Sequence, residues 1–320
     1  MNTGQAGAGG PGRPAPAPEP DGANRPAVGA LMVVGAACLW GSLGLFGRLA
    51  FDHGASPLQV GSVRAALAFL GVLPLALARP RRLRLRTAHA PLVLGYGAIG
   101  VGFFYYIYMV AIDRLPLAVA AALLYTAPAF VVALAWSLRW EPVRLRRLAP
   151  LAMVLAGAFL VTGAFRTLTD VDIGGVAAGV ASGVAYALYT VLGKRIRHHY
   201  DILTTILYAY GIGAVVLAMV EPPWTVVAEH PDALPILLLM GFGPTLLAAL
   251  LFYAGIRRID ASTASMLATI EPVVAALIGL TWLSEGLPWS TVAGTALILA
   301  AAVMLRPVRD PQPAVASDPP

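Results

Sequence analysis

Runs of about 20 apolar residues recur along almost the whole chain, each long enough at 1.5 Å rise per residue to cross a hydrocarbon core of roughly 30 Å. Ten are read, at about 27–47, 58–78, 91–112, 115–138, 148–165, 173–193, 202–220, 234–255, 261–283 and 288–305. Each is expected to be a transmembrane helix, because a lipid-embedded segment has to satisfy its own backbone hydrogen bonds. Composition points the same way. The chain is 58% hydrophobic and 12% charged with a mean hydropathy of +0.76, whereas soluble domains carry about a quarter charged residues. The expectation is an all-α integral membrane protein.

Little chain remains outside the runs. Residues 1–26 and 307–320 are Gly, Pro and Ala without hydrophobic periodicity, and are expected to be disordered tails. No cleavable signal peptide of the usual form is expected, since the first apolar run starts late and is itself long enough to span. One cysteine, Cys38, excludes an intramolecular disulfide. Orientation follows from the basic residues. "RPRRLRLR" holds five arginines, "RWEPVRLRR" four, and "KRIRHH" contributes Lys194, Arg195 and Arg197; Arg257, Arg258 and the basic residues of both tails fall on the same side. The opposite side has Arg48, Arg114 and Arg166, and its long loop "EPPWTVVAEHPDALP" is acidic. Excess Lys and Arg marks the cytoplasmic face, so a multi-pass protein of the cell membrane with both termini cytoplasmic is expected. The net charge of +6 is then a topology signal that requires no nucleic acid partner.

The chain also resembles itself. A shift of 144 residues lays "IDRLPLAVAAALLYTAPAFVVALAWSLRWEP" on "IRRIDASTASMLATIEPVVAALIGLTWLSEG", pairing Arg114 with Arg258, Pro128 with Pro272, and Glu141 with Glu285. This predicts two five-helix repeats, 27–166 and 173–306. An odd number of spans per repeat makes the two run in opposite senses through the membrane, the inverted plan of secondary transporters.

These residues carry a family resemblance. "LWGS" in the first run, Arg64 after "VGSV" in the second, and a proline and a glutamate separated by twelve residues at the ends of the fourth and ninth runs resemble the EamA-type transporters of the drug/metabolite transporter superfamily. The resemblance spans about residues 27 to 306. It implies ten helices in two inverted repeats around a central cavity, lined mainly by the first, third, fourth, sixth, eighth and ninth spans and opening alternately to the two sides. It also implies export of amino acids or other small metabolites without ATP. Pro142 and Gly286, directly after the two glutamates, depart from the family pattern, as does the Arg-rich fourth loop.

The chemistry of the interior narrows the reading. Glu271 is the one acid deep within a run and Arg64 the one base. All five histidines, His53, His89, His198, His199 and His230, fall in loops or at their edges, which argues against a haem, a His-ligated metal or an intramembrane Ser/His protease. No Walker-type "GxxxxGK[ST]" is present. No enzyme activity, cofactor or metal is expected.

Ten residues from Ala261 place Glu271 about 15 Å into the membrane. An ionised carboxylate there costs at least ~2.5–3.5 kcal/mol unless it meets a partner or water. Two readings stand: Glu271 binds an amino group of the substrate or carries a coupling proton, or it holds the Pro272 kink by pairing with backbone or Arg64. Arg64 is either an anchor for a substrate carboxylate or half of an ion pair. Glu141 and Glu285 are expected to cap helices or bridge to loop arginines. Trp40, Tyr105 and Tyr125 are the candidate pocket walls, ahead of Tyr108, Tyr186 and Tyr189. Gly175, Gly179 and Gly183 are expected to let helices pack closely.

The function expected is a carrier for a small-molecule substrate in the lipid bilayer, exporting an amino acid or similar metabolite by alternating access, with proton coupling through Glu271 or none. Uptake or drug efflux on the same fold is the nearest alternative. A non-transporting scaffold or accessory subunit is the alternative of another class. Nothing in the sequence demands a dimer.

Overall fold

The computed structural model describes residues 26–78, 83–115, 117–141, 145–164, 172–282 and 288–305. Glu285, Pro142, Gly286 and both terminal tails lie outside the described residues. Every described element is helical. In order they are α1 (Pro26–Gly41), α2 (Leu43–Asp52), α3 (Pro57–Leu77), α4 (Ala90–Gly97), α5 (Phe104–Arg114), α6 (Leu117–Leu124), α7 (Ala127–Ser137) and α8 (Leu148–Thr162). There follow α9 (Ile173–Arg197), α10 (Ile202–Ala218), α11 (Pro223–Glu229), α12 (Leu234–Met240), α13 (Ala248–Ile256), α14 (Ala261–Ala268), α15 (Glu271–Trp282) and α16 (Trp289–Met304). Two π-helical turns, Ala98–Phe103 and Gly241–Leu247, join α4 to α5 and α12 to α13 without a break.

Eight helical stretches are long and apolar enough to cross a membrane, or nine if α10 and α11, bent by 63° where they meet, count as one span. The two predicted runs that fall short do so by length: α10 has 17 residues and α16 has 16. Starts follow local chemistry. Ser56 and Gln59 form a reciprocal capping box ahead of Pro57, and Asp172 and Asp201 accept backbone N–H bonds at the starts of α9 and α10.

Most element boundaries recur at the 144-residue offset. The short 3₁₀ turn Thr87–His89 corresponds to Pro231–Ala233, α6 to α14, the start of α7 to the start of α15, and the first π turn to the second within one residue at its start. The fourth and ninth runs, expected to be single kinked helices, are each broken just before the proline. Thr126 donates to Leu123 O, and Thr269 and Ile270 to Met266 O and Leu267 O, so each break closes in tight turns; Pro128 and Pro272 then sit in the first turn of α7 and α15. Proline disfavours helical geometry in the residue before it but fits a helix start, where its missing N–H is no loss.

Lipid tails are as apolar as leucine, so close backbone approach rather than hydrophobic exclusion has to hold such helices together. α8 and α16 cross at Gly157 and Gly294, where a Cβ on either would lie 2.8 or 2.5 Å from the other's carbonyl oxygen. Gly175 and Gly179 meet Leu115 and Leu123, and Gly183 lies against the break between α6 and α7. Large apolar side chains such as Ile173 and Met219 remain over 80% exposed on the outer face, which suits lipid surroundings.

Candidate functional site

Where the helices converge, Trp40, Arg64, Tyr105, Tyr108, Tyr186 and Glu271 are among the side chains lining one cavity of about 80 Å³. Arg64, on α3, is held from two sides. Its Nε donates to Thr245 Oγ1 at 3.1 Å and an Nη to the Tyr105 hydroxyl at 3.3 Å, while the guanidinium lies 4.8 Å from the Tyr105 ring centre. Thr245 can serve because the π turn Gly241–Leu247 frees an oxygen for it: its hydroxyl donates to Met240 O, five residues back, at 2.8 Å. The arginine is therefore aimed at the cavity before any ligand arrives.

Glu271 opens α15 directly after the break, at the positive end of a half-helix, where a carboxylate is electrostatically favoured. Tyr125 is its near neighbour and Arg64 the cation acting on it, although the acid and the base do not form a direct ion pair. Gly41 lets α1 approach this point closely, since a Cβ there would lie 2.8 Å from Glu271 O and 2.6 Å from Val274 Cβ. That approach seats the adjacent Trp40 in the wall.

On the side where α9 ends, the cavity is backed by aromatic rings. Phe104 stacks on Tyr186 at 5.4 Å, Tyr186 on Tyr189 at 5.9 Å and Tyr189 on Phe252 at 5.7 Å, and Phe252 meets Trp40 at 5.1 Å. Beyond this layer the Tyr96 and Tyr253 hydroxyls hydrogen-bond to each other, and Arg197 Nε donates to Tyr253 O at 3.3 Å. Further out, the loop acid Glu141 bridges distant parts of the chain. It accepts from Ala261 N at 2.7 Å, Ser262 Oγ at 2.7 Å and Lys194 Nζ at 3.3 Å, so it caps α14 from 120 residues away. Arg147 pairs with Asp260 beside it.

Of the five residues expected at the site, Trp40, Arg64, Tyr105 and Glu271 share the cavity wall, and Tyr125 neighbours Glu271 without lining it. Tyr108, Tyr186 and Tyr189, ranked lower from sequence, also line it. Sequence reasoning misses Thr245 and Tyr210. Tyr210 sits on α10, a span outside the expected cavity set, and the role of Thr245 depends on a π turn that hydrophobic periodicity does not reveal. Among the described residues no cluster of three or more His, Cys, Asp or Glu could hold a metal ion.

Residues 27–163 and 173–306 both match the EamA-like transporter family. An uncharacterized transporter of Archaeoglobus fulgidus is 29% identical over 275 residues, 85% of this chain and 94% of that protein. The threonine/homoserine exporter RhtA of Salmonella typhimurium is 27% identical over 204 residues, 62% of this chain and 65% of that one. A solved crystal structure at 20% identity aligns with a TM-score of 0.74, covering 88% of this chain and 98% of that chain, a likeness of fold alone.

Proposed function

This chain belongs to the EamA-like transporter family, and from that premise we propose that it is a secondary carrier exporting an amino acid or a similar small zwitterion across the cell membrane. The observation that carries the proposal is the cavity's pair of opposite charges. Arg64, already oriented by Thr245 and Tyr105, suits a substrate carboxylate, and Glu271 suits an amino group. Because the two do not neutralise each other directly, a zwitterion bridging them replaces water on both. Similarity to a threonine/homoserine exporter supports the substrate class and the direction.

The cavity, of about 80 Å³, is closed on one side by the stacked rings of Phe104, Tyr186, Tyr189 and Phe252. Loading therefore requires its walls to part. The side to be opened from the cytoplasm is the Arg- and Lys-rich one, where Tyr96, Tyr253 and Arg197 form the seal. Ten spans in two inverted repeats, 27–166 and 173–306, supply the two-sided machinery in this reading, supported by the element boundaries that recur at the 144-residue offset. Glu271 is the coupling group for proton antiport.

The test is counterflow of labelled threonine and other amino acids in liposomes holding the purified protein, with and without a pH gradient. Saturable exchange of at least one zwitterion is expected. Folded protein that exchanges none of them overturns the substrate class.

A further inference from the structure

A second cavity, of about 270 Å³, lies away from the transport site, between the end of α7, the last turns of α9 and the start of α14. Its charged and aromatic lining comprises Arg139, Trp140, Glu141, Lys194, Arg195 and His198. Two of these charges are already engaged with each other. The Glu141 carboxylate is taken up by the start of α14, Ser262 and Lys194, and Lys194 Nζ also donates to Ile259 O at 2.9 Å and lies 3.6 Å from Asp260. Among the described residues no carboxylate pairs with Arg139 or Arg195. Arg195 lies over the Trp140 indole, 5.4 Å from its centre.

The backbone here is bent at a cost. Arg139, with φ 56°, is the one described non-glycine residue in the left-handed region, a conformation worth roughly 1–3 kcal/mol of strain outside glycine. Glycine is the usual residue at such a helix end. Its N–H donates to Trp136 O at 2.9 Å, and Trp140 N and Glu141 N both donate to Ala135 O, so the turn places Arg139 and Trp140 side by side on the cavity. Trp136 and Trp140 are both exposed at this end of the bundle, where α7 ends, the placement that interfacial aromatic belts favour. His198, exposed and beside Lys194 and Arg195, lines the same cavity, and loss of solvent followed by those two cations pushes it below its ordinary value.

We propose that this cavity is an anion site that takes a phosphate group, held by Arg139 and Arg195 with Trp140 as its floor. Guanidinium forks match phosphate oxygens in pairs, and a left-handed arginine that frees its side chain toward an open cavity gives the strained turn a purpose. The phosphate comes from an anionic lipid headgroup or from solution, and the two sources are separable.

The full chain is purified in a neutral detergent, and its melting temperature is followed with phosphatidylglycerol, with phosphatidylcholine at equal fraction, and with inorganic phosphate at constant ionic strength. A ligand that binds only the folded state raises the transition. Phosphatidylglycerol or phosphate should raise it by a few degrees, and phosphatidylcholine should not. Arg139→Gln/Arg195→Gln should remove most of that shift, corresponding to binding weakened roughly tenfold or more for each charge-assisted hydrogen bond removed. A shift with lipid alone assigns the headgroup as the source; a shift with both assigns a site open to soluble phosphate. Arg84→Gln/Arg86→Gln, which alters two exposed arginines elsewhere, should keep the response. The proposal is overturned by a wild-type protein that responds to neither anion, by a pocket variant with the full shift, or by a control variant that loses as much.

Discussion

Arg64 and Glu271 mark the candidate site, and both are legible because they are rare: in a chain with 12% charged residues, one acid and one base deep within apolar runs stand out. What aims them was not legible. Thr245 reads as an ordinary small polar residue after Pro244 until the π turn brings its hydroxyl to Arg64. Thr245→Val, of nearly the same shape, should leave the fold intact and raise KM about three- to tenfold with little change in kcat, the loss of about one hydrogen bond of roughly 1 kcal/mol. An unchanged KM removes Thr245 from the site. Glu271→Gln keeps the size and removes the charge. Exchange driven by a pH gradient should fall to the level seen without one, and a gradient response equal to that of wild type eliminates Glu271 as the proton carrier.

The helical stretches were foreseeable from apolar run length, and the two broken spans were foreseeable in part from Pro128 and Pro272. The breaks themselves depend on what receives them. Gly183 makes room for the break between α6 and α7, and Gly41 for the one between α14 and α15. No pattern along a single run announces a partner more than 50 residues away. The start of α15 carries Glu271 where the start of α7 carries Ala127, so two elements whose lengths differ by one residue differ in charge at the point where they open. Glycines divide by what surrounds them. Gly294→Val drives a side chain into the Gly157 backbone, which cannot move aside, and should lower the melting temperature by several degrees or abolish monodisperse protein. Gly95→Ala meets open space and should be neutral or stabilising by up to about 1 kcal/mol from helix propensity. Equal behaviour of the two variants in size-exclusion and melting experiments is the result that removes the α8–α16 contact as a determinant of assembly.

At the scale of the whole molecule, the end of the bundle where α9 finishes is strongly basic, and its histidines respond to that. His198 is held below its ordinary value of 6.5 by burial and then by Lys194 and Arg195; His199 is lowered by burial and then by His89, whose ring lies 4.4 Å away. As pH falls through the unfolded value of about 6.5, the unfolded chain binds protons that the folded chain resists. Stability is therefore fully present above that pH and declines as acidification proceeds toward the folded values. The melting temperature should drop between about pH 7.5 and about pH 5.5, and His198→Gln/His199→Gln should flatten the slope. A variant slope as steep as wild type assigns the acid response elsewhere. The placement of tryptophans has an optical consequence. Of six indoles, Trp40 is 8% exposed within the cavity wall, while Trp136, Trp140, Trp224, Trp282 and Trp289 lie between 39% and 75% exposed on the outside. Brominated acyl chains should quench the outer five and spare a blue-shifted remainder that disappears in Trp40→Phe. That remainder is an intrinsic fluorophore in the wall of the candidate cavity, so a ligand that enters it should change the protein's own emission before any substrate is labelled.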